Sequence, residues 1–289
     1  MTTAHFAEPN LFLVGAGRAG TTSLWRYLRS HPAIFMSPIK EPHFFSRGGV
    51  PGIPCVKDEA SYRAMFAAGA GARYRGEASV SYLWDESSPA AIKRAHSDAR
   101  ILISLREPVD RAFSHYWLYV QLGLEHRSFR IAVEEELERN GRPAAVPPPY
   151  VARGLYAEQV ARYLDAFDDV HVLFFDDLVA DARQTMREIF AWLGVEASPA
   201  DELDVVAHNA FWVGRNRTAR WAAELVRRYR LARYVPFRMR LALVAAMTKP
   251  HPKPELEPET DALLRQFYAE PNRRLRELLG ASLPWDAAA

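Results

Sequence analysis

The sequence predicts an α/β fold: a single P-loop-like domain with a central parallel β-sheet flanked by helices on both faces. Three observations carry this. Short apolar runs of strand type alternate with amphipathic helical stretches along most of the chain. A glycine-rich string, Gly15-Ala16-Gly17-Arg18-Ala19-Gly20-Thr21-Thr22-Ser23, follows directly on the apolar run Leu11 to Val14. With 49% hydrophobic residues in 289, the chain can also bury a substantial core.

Leu11 to Val14 reads as the first strand. After the glycines, Leu24, Tyr27 and Leu28 recur at helical spacing and His31-Pro32 closes the segment. Ala33 to Met36, the segment around Ala78 to Leu83, Ile101 to Leu105 and His171 to Phe175 read as further strands, each bounded by turn or charged residues. Ser61 to Ala68, Pro89 to His96, Asp110 to Leu122, Tyr150 to Phe167 and Ala182 to Leu193 read as helices between them. An acidic helix, Ser128 to Arg139, precedes a proline-rich loop, Pro143 to Pro149, of the kind that lines a cleft. Leu241 to Met247 reads as a core helix, and a proline-rich linker, 250–258, leads to a final helix over Thr260 to Leu279. The expected organisation is one domain over 1–289, with 1–10 as an N-terminal tail.

The balance of 37 basic and 35 acidic residues, formally +2, argues against general nucleic-acid binding, so an anion site should be local. The single cysteine, Cys55, excludes an intramolecular disulfide, and without a Cys/His cluster a structural zinc site is not expected. The first ten residues lack a basic start and a long apolar core, and no run approaches the ~20 apolar residues of a spanning helix. A cytoplasmic protein without a transmembrane segment is the expectation. Arginines crowd between Gly214 and Arg240, beginning at Arg215. They read as a solvated helix face, with an anionic substrate or a peripheral membrane contact as the second reading. Nothing in the sequence speaks to oligomeric state.

The glycine string matches GxxxxGK[ST] except that Thr21 stands where the Lys reaching the β/γ-phosphates would be. That absence turns the reading away from ATP and GTP. Gly15, Gly17 and Gly20 also fit GxGxxG, but three hydroxyls at the helix start, Thr21, Thr22 and Ser23, suit a terminal anion. The second strand also leads into Ser37-Pro38 rather than an acidic residue placed to hold a ribose. A glycine turn without a ligand stays open on this motif alone.

Two further constellations carry chemistry. Arg106 ends the fourth strand, where open α/β sheets bind ligands, and Ser114 lies a turn into the helix that follows, with Asp110 placed to cap it. The competing reading is that Arg106 simply pairs with Asp110. Lys40-Glu41-Pro42-His43-Phe44-Phe45 follows the second strand and sets a carboxylate and an imidazole two apart in aromatic surroundings that suit a general base. A surface Glu and a packed His are the bland alternative.

In this order the three motifs resemble the sulfotransferases that use 3′-phosphoadenosine 5′-phosphosulfate (PAPS), in particular the carbohydrate branch that includes the heparan sulfate enzymes and bacterial relatives. The resemblance extends to Gly76 to Tyr82, similar to that family's third strand, and to Gly154 through Gly194. It implies that Gly17, Arg18, Ala19, Gly20, Thr21, Thr22 and Ser23 hold the 5′-phosphosulfate and that Arg106 and Ser114 hold the 3′-phosphate. It also implies Glu41 as catalytic base, with His43 accompanying it, Arg18 supplying charge at the reaction centre, and no metal. Arg18 stands where the family usually has Lys, exchanging a compact ammonium for a planar fork. Arg215 matches only loosely the later glycine-and-basic loop that also touches the donor. The implied partner is a small-molecule or glycan acceptor.

Two other classes remain at this point. A P-loop kinase would need a Mg²⁺ carboxylate after a strand, for which Asp176-Asp177 is the candidate; a non-catalytic nucleotide-binding protein would need no Glu41. His115, beside Ser114, is a rival base.

Overall fold

The computed structural model describes residues 8–47, 55–122, 124–139, 149–205, 211–214, 248–251 and 254–288. Five parallel strands, β1 (Leu11–Gly15), β2 (Ile34–Met36), β3 (Tyr74–Ala78), β4 (Arg100–Leu105) and β5 (Val170–Phe174), lie in the spatial order β2-β3-β1-β4-β5. Leu11 is level with Gly76 on one side and Arg100 on the other. β1 is buried along its whole length, and β4 from Ile101 onward. Unbroken apolar runs rather than alternating ones are what a strand covered on both faces requires.

The helices are α1 (Thr21–Arg29), α2 (Glu59–Ala64), α3 (Ser81–Trp84), α4 (Ser88–Ala95), α5 (Pro108–Gln121), α6 (Phe129–Glu138), α7 (Tyr156–Ala166), α8 (Phe175–Ala180), α9 (Ala182–Leu193) and α10 (Pro258–Leu279). The step from β1 to β2 runs one way across the sheet, and the later steps run the other way. With right-handed crossovers this puts α1 on one face and the connections after β2 on the opposite one. On the α1 side, the His31 ring meets Phe190 of α9 at 4.6 Å between centroids. The main core fills both sides of the sheet, and a second apolar cluster joins α5, α6, Tyr150, Val151 and α10.

Three boundaries differ from the sequence reading. The strand expected around Ala78 to Leu83 lies earlier, at Tyr74–Ala78, and Ser81–Trp84 is a helix instead, with Glu77, Ser79 and Ser81 engaged in a buried polar network described below. The helix expected from Tyr150 starts only at Tyr156, after a 3₁₀ turn at Ala152–Gly154. The Glu136 carboxylate accepts from the backbone N–H groups of Tyr150 (2.6 Å), Val151 (2.9 Å) and Ala152 (2.7 Å), which holds that stretch against α6. A short antiparallel pair, β6 (Phe211–Gly214) with β7 (Thr248–His251), was not anticipated, and β7 takes up the start of the expected 250–258 linker. The predicted helix Leu241 to Met247 and the arginine cluster from Arg215 lie outside the described residues, as does all but Pro149 of the loop Pro143 to Pro149.

Candidate functional site

The carboxyl ends of β1, β2, β3 and β4 deliver the glycine-rich loop, the Lys40–Phe45 segment and the Arg106–Ser114 segment to one edge of the sheet, where the strand order reverses around β1. Gly20 is the N-cap of α1 at φ 76°, and a Cβ there would come within 2.8 Å of Leu178 Cδ2 and 2.9 Å of Phe175 Cδ2. Only glycine fits. No side chain caps α1 and its first turn has no acidic residue, so the positive end of the helix faces the loop without an internal counter-charge. Thr21 is buried, Thr22 exposed and Ser23 half-buried, with Gly17 half-buried at the outer turn of the loop. Ala19 is turned inward: its N–H donates to the Ala16 carbonyl at 3.2 Å and its carbonyl accepts from Ser104 Oγ at 2.6 Å. Its part is to shape the loop.

Arg18, Arg106 and Ser114, far apart in sequence, form one assembly. Arg18 Nε donates to Ser114 Oγ at 3.1 Å, and Arg106 Nη1 donates to the Arg18 carbonyl at 3.3 Å. The Arg106 guanidinium lies 4.7 Å over the Phe175 ring. Asp110 does approach Arg106, at 3.7 Å, a loose pair with Asp110 largely exposed. The cap of α5 is Glu107, whose carboxylate accepts from the Asp110 N–H, and Pro108 occupies the first turn. The sequence expectation that Asp110 itself caps the helix is thereby corrected. Although the Arg18 side chain reaches the surface, desolvation of its guanidinium, then the like charges of Arg106 and Arg111, press its pKa down to about 10. Cations gathered this closely call for an anion among them.

Glu41 sits on the opposite side of the loop, anchored through its own N–H to the Ala78 carbonyl at 2.8 Å. Its Oε1 pairs with Lys40, and its Oε2 accepts from the Val80 N–H at 2.8 Å and lies 3.4 Å from His43 Nε2. His43 is fully enclosed, its Nδ1 2.6 Å from Ser81 Oγ and its N–H donating to Ser79 Oγ at 3.0 Å. Burial, opposed by the Glu41 charge, lowers the His43 pKa, so the ring is neutral at neutral pH.

Arg18 (φ 75°), Glu41 (φ 66°) and His43 (φ 53°) are the non-glycine residues with positive φ among the described residues. Such a conformation costs about 1–3 kcal/mol each and persists only where the surroundings enforce it. All three are the residues the sequence placed in catalysis.

Glu77 and Arg153 at this edge escaped the sequence reading. Glu77, wholly buried, receives hydroxyl donors from Tyr62 (2.6 Å), Ser79 (2.8 Å) and Tyr82 (2.9 Å); burial, only partly offset by those donors, raises its pKa to about 7. Ser79 thus links Glu77 to the backbone of His43. His115 is buried, with Nδ1 unpartnered and Nε2 3.5 Å from Arg153 Nη1. Burial, then the charges of Arg153, Arg111 and Arg18, holds it well below its ordinary range, which makes it a poor proton acceptor. Arg153 was invisible because its segment reads as an ordinary helix start. Asp176 and Asp177 lie in the first turn of α8, and among the described residues no group of three or more His, Cys, Asp or Glu side chains could hold a metal. Arg215 lies outside the described residues. No helix among those described is long and apolar enough to cross a membrane.

The model of the sulfotransferase domain family matches residues 8–267. Heparan sulfate glucosamine 3-O-sulfotransferase 3B1 of Mus musculus is 25% identical over 290 residues, covering 96% of this chain and 65% of that protein. Carbohydrate sulfotransferase 15 of Homo sapiens is 25% identical over 246 residues, 65% of this chain and 44% of that one. The chain therefore spans less than two thirds of the length of these relatives. The crystal structure of a sulfotransferase from Alicyclobacillus acidocaldarius superposes with a TM-score of 0.69 at 34% identity, covering 96% of this chain and 98% of that one.

Proposed function

This chain belongs to the sulfotransferase domain family, and on that premise we propose that it transfers a sulfuryl group from PAPS to a hydroxyl or amine of a carbohydrate-containing or other small-molecule acceptor. The observation that carries the donor is the Arg18–Ser114–Arg106 assembly, a crowded cationic group beside an uncapped helix start. The loop around Gly17 to Ser23 and the α1 amides would hold a 5′-phosphosulfate, and Arg106 with Ser114 a 3′-phosphate that ATP lacks. The donor supplies an activated sulfuryl group and a phosphate leaving group. Arg18 is placed to neutralise charge developing on that phosphate oxygen.

Glu41 takes the acceptor proton, a contribution of typically about 10²- to 10⁴-fold. The Val80 N–H occupies Oε2, with His43 Nε2 standing 3.4 Å from it, so the proton is taken at Oε1, and Lys40 must yield that oxygen for it to arrive. His43, neutral and tied to Ser81, is a positioning residue for Glu41. The names of the relatives support a sugar acceptor.

Calorimetry separates donor classes: 3′,5′-ADP should bind at least tenfold more tightly than ATP, and a preference for ATP would sink the donor assignment. Glu41→Gln should abolish turnover in a PAPS-dependent assay while 3′,5′-ADP binding holds. Near-normal turnover in that variant would remove Glu41 as the base.

A further inference from the structure

Arg153 is a basic side chain at this edge to which the reading above gives no task. It projects from the 3₁₀ turn Ala152–Gly154, which is fixed on one side by the Glu136 carboxylate and on the other by Gly154. A Cβ on Gly154 would come within 2.7 Å of Tyr268 Oη and 3.0 Å of Pro108 Cβ, so the turn is seated tightly. The guanidinium lies 4.6 Å over the Trp84 ring, and Nη1 reaches His115 Nε2 at 3.5 Å. Its Nε is buried without a hydrogen-bond partner, as are Trp84 Nε1 and His43 Nε2. Among the described residues, no carboxylate comes within ion-pair distance of it. A braced, desolvated cation with unused donors is a high-energy arrangement unless an anion completes it.

We propose that Arg153, braced by Trp84 and His115, is a second oxyanion-binding group of the site, distinct from the Arg18–Arg106–Ser114 assembly, and that it receives the oxygens of the sulfuryl group. The proposal rests on the donor reading above. Its position argues for the sulfuryl group: Nη1 is 3.5 Å from His115, which follows Ser114, the partner of Arg18, and the guanidinium covers Trp84, at the end of the helix whose Ser81 holds His43 beside Glu41. A cation within reach of both lies between the base and the donor site, where the transferred group passes. The fork geometry of arginine suits two oxygens of such a group at once. An acidic group on the acceptor offers the same chemistry from the other direction.

The test uses wild type, Arg153→Gln and Arg153→Lys, titrated calorimetrically with PAPS and with 3′,5′-ADP, which lacks the sulfuryl group. The expected result is 3′,5′-ADP affinity within twofold in all three, and PAPS affinity about tenfold weaker in Arg153→Gln with partial recovery in Arg153→Lys. A second arm titrates inorganic sulfate and glucuronate into the 3′,5′-ADP complexes. Loss of glucuronate binding in Arg153→Gln, with the PAPS advantage intact, moves the oxyanion to the acceptor and overturns the sulfuryl assignment. Unchanged binding of every probe overturns the site itself, as does loss of 3′,5′-ADP binding in both variants, which would make Arg153 a nucleotide or folding contact. Wild type that ignores 3′,5′-ADP would instead overturn the donor reading, and sulfate binding to the free proteins would then still test Arg153.

Discussion

Glu77→Gln isolates a buried charge whose contribution to stability depends on pH in a calculable way. Burial raises the Glu77 pKa from 4.5 to about 7 in the folded protein, against the pull of the Tyr62, Ser79 and Tyr82 hydroxyls. Between those values the folded state holds a proton that the unfolded state has released, so the contribution of this group to stability is fully present below pH 4.5. It is lost as the pH rises through about 7. The gap corresponds to about 3 kcal/mol, an order-of-magnitude figure for so enclosed a group. Glutamine cannot titrate. Guanidinium unfolding of both proteins at pH 5, 6, 7 and 8 should therefore show wild-type stability, relative to the variant, falling by about 3 kcal/mol across the range. A wild-type-minus-variant difference constant to within about 0.5 kcal/mol would refute the reasoning, because it would mean that the carboxyl is ionised throughout in both states.

Other outcomes follow from the same geometry. Ser114→Ala removes the acceptor of the Arg18 Nε bond and should weaken 3′,5′-ADP binding by about tenfold in calorimetry, whereas ATP binding should change little. Gly20→Ala combines a positive φ with close approach to Leu178 and Phe175 and should cost about 1–3 kcal/mol in denaturant unfolding. Turnover should fall most in Glu41→Gln, less in His43→Ala, and in His115→Ala only through displacement of Arg153, an order read from steady-state kinetics. Arg18→Lys keeps the charge but loses the Nε contact to Ser114; turnover undiminished would show that charge alone suffices at that position.

The strand runs Leu11 to Val14 and Ile101 to Leu105 were legible because both are covered on two faces, so their sequences are apolar without interruption. The uncapped glycine start of α1 was legible for a similar reason, since few residues other than glycine tolerate its φ. The end of β3 was not. Ser79 and Ser81 look like ordinary strand residues until Glu77 and His43, 2 and 38 residues away, are seen to hydrogen-bond with them. Arg153 was hidden likewise, since its role arises from Trp84 and His115, brought to it by two different crossovers. Local periodicity reports which face of an element is covered; it carries no information on which polar groups from distant segments meet there.

The left-handed backbone at Arg18, Glu41 and His43 has an evolutionary consequence. At exposed Arg18, glycine would relax a conformation that L side chains resist, so selection for heat tolerance alone should drift toward replacing it; at buried His43 glycine would also leave a cavity and strip Ser81 of its partner. A library enriched only for soluble expression at elevated temperature should accumulate glycine at Arg18 before Glu41 or His43.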